Sequence, residues 1–294
     1  MVIAAVAAVT IGSAITVVQT DAIGSSGTAA ESRFVARRIG RMTATETALE
    51  GSRAPHADLP GWRQLFVDDF DVDVPLGSFP SAVSSKWGAY SYPSKDTSRR
   101  GTYWPQKVVS VDGGVLTKHV HFENGTPLVA ALTPKVPGSS SFGQRYGRYE
   151  VRFRADRLTP GYKVAWMLWP DSGTNITGAV GGGGNGEINW PEMDLNDSHV
   201  WGFVHHMNAT VGSDQDWFKA PIDIRQWHTY TIEWSPGLVR FLLDGSEVGR
   251  TTERIPSTPM HWVLQTETSI KTAPAAGAQI NLMIDYVAAW GYAP

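Results

Sequence analysis

Glu187-Ile188-Asn189-Trp190-Pro191-Glu192 reads as a β-strand with one irregularity, and that irregularity decides what the strand can do. In a regular strand, side chains two apart share a face, so Glu187 and Asn189 point one way and Glu192, five residues on from Glu187, points the other. One additional residue restores the alignment. A β-bulge supplies it, and Pro191, which cannot donate to a ladder, belongs at a bulge or an edge. The expected result is Glu187, Asn189 and Glu192 on a single face, with the apolar Ile188 and Trp190 alternating between them as in a strand that has one side in a core and the other in a wet cleft. Two carboxyl groups brought to about 5 to 5.5 Å are what a retaining glycosidase needs, one to attack the anomeric carbon and one to protonate the leaving oxygen.

The rest of the chain reads as β-structure from about Gly61 onward. Tyr149, Val151 and Phe153 alternate with Glu150, Arg152 and Arg154, and His228, Tyr230, Ile232 and Trp234 alternate with Thr229, Thr231 and Glu233. Leu238 to Leu243, then Asp244-Gly245, then Ser246 to Arg250 is a hairpin signal, because a primed two-residue turn needs positive φ. No long stretch has helical spacing, and many short strands punctuated by Gly and Pro argue for two packed antiparallel sheets.

Composition narrows the function. The chain has 294 residues, 42% hydrophobic and 18% charged, with 30 Gly, 18 Pro and 12 Trp, which is enough for one large all-β core. A net charge of −3 gives no electrostatic case for nucleic acid as a partner. Zero cysteines exclude disulfides and thiolate metal sites. Val2 to Val18 is an apolar run with no charge before Asp21, so residues 1–20 read as a signal peptide or, if retained, an N-terminal membrane anchor, and imply a secreted or outward-facing protein. Residues 21–60, rich in Ala, Ser, Thr, Gly and Arg without alternation, read as a disordered linker. Residues 61–294 are left as the folded domain.

Gly181, Gly183 and Gly186 satisfy the spacing of a dinucleotide fingerprint, but that motif must open a helix, and the next residues here are the strand from Glu187. The glycine run instead continues a long insertion from Asp171, of the kind that borders binding sites.

Beyond the central motif, Phe66-Val67-Asp68-Asp69-Phe70, Tyr146 to Phe153, Trp227 to Trp234 and Ile284 to Val287 stand in order along the chain. Together they resemble glycoside hydrolase family 16, the group of laminarinases, lichenases, agarases and carrageenases, over nearly everything from Gly61. The resemblance implies a β-jelly-roll sandwich with a substrate cleft across its concave face. It also implies Glu187 as nucleophile and Glu192 as acid and base. Asn189 stands where the family has an aspartate that hydrogen-bonds the nucleophile. Asparagine donates a hydrogen bond but takes no proton, so activity with an altered pH profile is expected, and Asn189→Asp should shift its acid limb. The family often places a histidine facing the acid on the neighbouring strand. Since Trp201, Phe203 and His205 share one face and His206 the other, His205 is the reading here.

Indole faces match the apolar faces of pyranose rings, which makes Trp166, Trp169 and Trp190 candidate substrate-binding residues. Trp166 and Trp169 are three apart, so one of them lines the groove, and Trp190 alternates toward the core unless the bulge turns it. Some family members hold a structural calcium with an aspartate near the C-terminus, which Asp285 matches; no other cofactor is implied. The expected protein is a monomeric, retaining endo-β-glycan hydrolase whose partner is a polysaccharide, most simply β-1,3-linked or mixed-linkage glucan. A glycan-binding protein with an impaired centre and a transglycosylase use the same residues and remain open at this point.

Overall fold

The computed structural model describes residues 53–173, 184–209 and 211–294. Sixteen strands are described: β1 (Trp62–Asp68), β2 (Trp87–Ala89), β3 (Thr102–Tyr103), β4 (Val109–Asp112), β5 (Val115–Glu123), β6 (Thr126–Pro134), β7 (Gly147–Ala155), β8 (Tyr162–Pro170), β9 (Glu187–Asp194), β10 (His199–His205), β11 (Gln215–Pro221), β12 (His228–Ser235), β13 (Leu238–Leu243), β14 (Ser246–Thr251), β15 (Met260–Thr268) and β16 (Ile280–Tyr292). Twelve of them hydrogen-bond in the order β11-β10-β9-β8-β15-β6-β5-β16-β7-β12-β13-β14, with β1 on β16, β2 and β3 on β6, and β4 on β5. The path folds over at β5 and β6, so the first six strands form one layer and the last six the other, which is the expected jelly-roll sandwich. Pairing is antiparallel apart from β3 on β6.

The alternation seen in the sequence builds the outer layer directly. On β7 and β12, Tyr149 pairs with Ile232 and Val151 with Tyr230, all inward and buried. Asp244 and Gly245 take φ of 50° and 76° between β13 and β14, the positive values a primed turn demands. Between the layers the core is largely aromatic. Phe153 lies 4.4 Å from the Trp166 ring and 4.8 Å from Tyr230, and Trp190 stacks on Phe241 at 5.4 Å.

The domain begins earlier than Gly61. Ala54 and Leu59 join Trp62, Tyr286, Ala288 and Trp290 in a second apolar cluster on the outer face. The Trp290 indole donates to the Ala57 carbonyl at 2.9 Å, and the Ala54 amide donates to Asp69 at 2.7 Å. Residues 53–60 therefore belong to the fold, because they cover an indole that the sheet alone would leave bare. Residues 1–52, with the apolar run and most of the linker, lie outside the described residues, as does the heart of the glycine-rich insertion at 174–183.

One core residue defies its type. Lys118 on β5 lies inward between Leu116 and Val120 and is fully buried, its Nζ donating to the Leu264 carbonyl at 2.7 Å and to Thr266 Oγ1 at 3.2 Å. Burial pushes its amine well below the ordinary value of 10.5. The unfolded chain then binds this proton more tightly than the folded one, so stability falls as pH drops below that ordinary value. Lys118→Met is expected to raise the thermal midpoint at pH 7 by about 5 °C and to flatten the rise in stability toward alkaline pH. A lower midpoint in a calorimetric scan would show that the two hydrogen bonds outweigh the desolvation.

Candidate active site

Strand β9 carries the predicted bulge. Along β10, Trp201 pairs with Glu192 and Phe203 with Asn189, so Gly202 alone faces Trp190 and Pro191; along β8, Ala165 pairs with Glu192 and Met167 with Asn189, with the same slip. Two residues opposing one on both sides is the bulge geometry. Its effect is to turn Glu187, Asn189 and Glu192 to one face, and Ile188, Trp190 and Met193 into the core. The neighbour opposite has to be glycine: a Cβ on Gly202 would sit 2.8 Å from the Phe241 ring and 3.0 Å from that of Trp190.

Glu187 and Asn189 are deeply set, 7% and 3% exposed, while Glu192 is partly open. Asn189 Nδ2 donates to Glu192 Oε2 at 3.0 Å, and the Lys163 ammonium lies 3.5 Å from Oε1. Each oxygen of Glu192 thus faces a donor. Burial would push Lys163 down, but the charges of Glu192, Glu267 and Asp194 outweigh it and hold the amine above its ordinary value, so it stays cationic. Lys163 pairs in register with both Asp194 and Glu267. Glu267 is itself fully buried and receives the Thr97 amide at 3.0 Å and hydroxyl at 2.9 Å, together with the Tyr103 hydroxyl.

The ladder sets the histidines apart. His205 pairs with Glu187 and shares its face, whereas His206 is turned away and bonded at Nδ1 to Asp214 at 2.9 Å. The residue across from Glu192 is Trp201, not a histidine. Unbroken pairing would have set the core residue Val200 there; the additional residue of β9 instead puts the cleft-facing Trp201 opposite Glu192 and leaves His205 beside Glu187.

The model for glycosyl hydrolases family 16 matches residues 114–288, more than half of the chain, a span that runs from β5 into β16 and includes β8, β9 and β10, which hold this site. The chain belongs to family 16. It is therefore a glycoside hydrolase. A β-glucanase of Rhodothermus marinus is 28% identical over 225 residues, 71% of each chain. A keratan-sulfate endo-1,4-β-galactosidase of Sphingobacterium multivorum is 26% identical over 194 residues, 63% of this chain and 41% of that one. Among solved structures, an endo-1,3-β-glucanase from Streptomyces sioyaensis superposes with a TM-score of 0.63 at 19% identity, covering 82% of this chain and all of that one. At that identity the likeness speaks for the fold.

Within the family 16 frame, the tryptophans sort differently from their sequence order. Trp169 lies on the cleft face of β8 with Met167 and Ala165, the register partners of Asn189 and Glu192. Trp166 points into the core with no exposed surface, and Trp190, 1% exposed, donates its indole N–H to the Leu242 carbonyl at 3.1 Å. Neither can stack on a sugar. Asp285 does not suit calcium either: it is buried in the outer sheet with its carboxylate bound by the Arg152 guanidinium, so a cation there would have to displace a fixed positive charge. Among the described residues no group of three or more His, Asp or Glu is placed to hold a metal.

Two features of the cleft escape sequence reading. His261 pairs with Trp169 on β15 and bonds at Nδ1 to Asp171 Oδ1 at 2.9 Å, while Asp171 also accepts from Ser139. This fixes the imidazole between two elements distant in sequence. On the other side of the carboxylates, Trp217 and Lys219 of β11 pair with Phe203 and Trp201. The alternation within Gln215–Pro221 was available as a signal, but nothing in it says which sheet the strand joins.

Proposed function

We propose that this family 16 enzyme is an exported, retaining endo-β-glycan hydrolase acting on β-1,3-linked or mixed-linkage glucan, with Glu187 as nucleophile and Glu192 as acid and base. The observation that carries the reading is the bulged β9, which sets two glutamates and the asparagine between them on one face of the cleft. Glu187, recessed beneath the sugar, attacks the anomeric carbon and forms a glycosyl ester as Glu192 delivers its proton to the departing oxygen. Glu192 then takes a proton from water, which attacks the ester and releases the sugar with its original anomeric configuration. His205 would orient Glu187 from the next strand, and Trp169 would support a pyranose ring. The apolar run Val2 to Val18 supports export.

For the substrate, the β-glucanase relative supports a neutral glucan. The keratan-sulfate relative raises a sulfated alternative, which needs free cations in the cleft. Lys163 is held by Glu192, and Lys219 lies over the Trp201 ring at 5.2 Å. The test is release of reducing ends by the full chain on laminarin, mixed-linkage glucan, agarose and carrageenan. Release on the first two supports the reading; release on a galactan alone, or on none, overturns it.

Asn189 acts differently from the family aspartate, since its amide donates to Glu192. Asn189→Asp replaces that donor with a second carboxyl, and two carboxyls this close share a proton. The expected change is therefore an alkaline limb of kcat/KM moved to higher pH, in place of the acid-limb shift implied by a bond to the nucleophile. An unchanged profile would remove Asn189 from the mechanism.

A further inference from the structure

We propose that Trp201, Phe203 and Trp217 form a sugar-binding shelf at the open edge of the cleft, gripping a neutral pyranose of the glycan arm that runs outward over β10 and β11. The inference rests on the proposed substrate and goes past it, because it assigns binding to side chains of β10 and β11, beyond the strand that carries the reacting carboxylates. β11 ends the cleft layer, and its register with β10 puts Trp217 beside Phe203 and Lys219 beside Trp201. Phe203 and Trp201 in turn face Asn189 and Glu192 across β9. The shelf is thus continuous with the cleft on the same face, and two strand spacings place Trp217 about 10 Å from β9.

The aromatic geometry suits a ring ligand. Trp201 and Phe203 lie nearly parallel, 10° between planes with centroids 6.4 Å apart, and Trp217 meets Trp201 at 5.5 Å and 56°. Trp217 is 54% exposed, although an indole is among the side chains that gain most from burial. Pyranose rings have apolar faces and a hydroxyl rim, so such an edge can hold one without removing its polar groups from water. The charges nearby are already engaged: the Lys219 ammonium lies over Trp201, and Asp216 is turned away to accept from Thr251. A neutral sugar fits this shelf better than a sulfated one.

The test uses the full chain carrying Glu187→Gln, so that bound glycan is not consumed, titrated calorimetrically with β-1,3 and mixed-linkage gluco-octasaccharides. Adding Trp217→Ala is expected to weaken binding about tenfold, and Trp217→Phe to restore most of it. Because the side chain is half in water, its loss should leave the melting curve unchanged. Equal affinity with and without Trp217, or no binding by any variant, overturns the shelf. A dimer that dissociates on Trp217→Ala in sedimentation would also overturn it, assigning the patch to a second copy. Reducing-end release by the unmutated chain is scored separately. Binding lost with Trp217 in a protein that cleaves nothing would keep the shelf and remove the hydrolase reading, whereas cleavage indifferent to Trp217 would do the reverse.

Discussion

Glu187→Gln is expected to lower the rate of glycan cleavage by roughly four orders of magnitude, with the fold retained and binding of the same glycan within a few-fold. Glutamine matches the side chain in shape, so its recessed place on β9 beside His205 remains filled. What it lacks is an oxygen able to form the glycosyl ester, and every turnover of the proposed mechanism passes through that bond. Initial rates of reducing-end release, paired with a melting curve, check the prediction. A variant that still turns over at a tenth of the original rate would mean that Glu187 is not the nucleophile.

Glu192→Ala separates the second carboxyl from the first. Cleavage of polysaccharide, whose leaving sugar needs a proton, should fall by roughly a thousandfold. A nitrophenyl β-glycoside needs no such help in its first step, so the variant should still show a burst of nitrophenol and then slow release. Azide, which attacks the ester without general base assistance, should then speed the slow phase. Loss of the burst, or no response to azide, would place the acid and base elsewhere. The geometry favours Glu192 because it is the partly open carboxylate, within reach of a departing sugar and of water, whereas Glu187 is recessed.

Much of this arrangement was legible in the sequence where a local rule applied. The alternation of β7 and β12, the Asp244-Gly245 turn and the bulge at Pro191 are each set by neighbours within a few residues. What was illegible depends on contacts between distant segments. Alternation assigns Trp166 and Trp169 to opposite faces but does not say which face is the core, and the ladder with β9 settles it in favour of Trp169 for the cleft. Lys118 has the type of an outward residue and the position of an inward one, so its pattern misleads. Residues 53–60 have no strand pattern because they are held by the Trp290 indole and by Asp69. The His261–Asp171 pair joins residues 90 apart in sequence, and no spacing rule reaches that far. Asp285 matched a calcium position by sequence, yet its partner Arg152 comes from a strand 133 residues earlier.

The central claim is that Glu187 forms a covalent bond to the sugar. It is tested most directly by incubating the full chain with a 2-deoxy-2-fluoro glucoside or oligoglucoside bearing a good leaving group, then mapping the added mass by peptide sequencing. The account predicts one fluoroglycosyl group per chain, attached at Glu187 and absent from the Glu187→Gln variant. Attachment at Glu192, or cleavage without any ester and with inverted anomeric configuration, would contradict it.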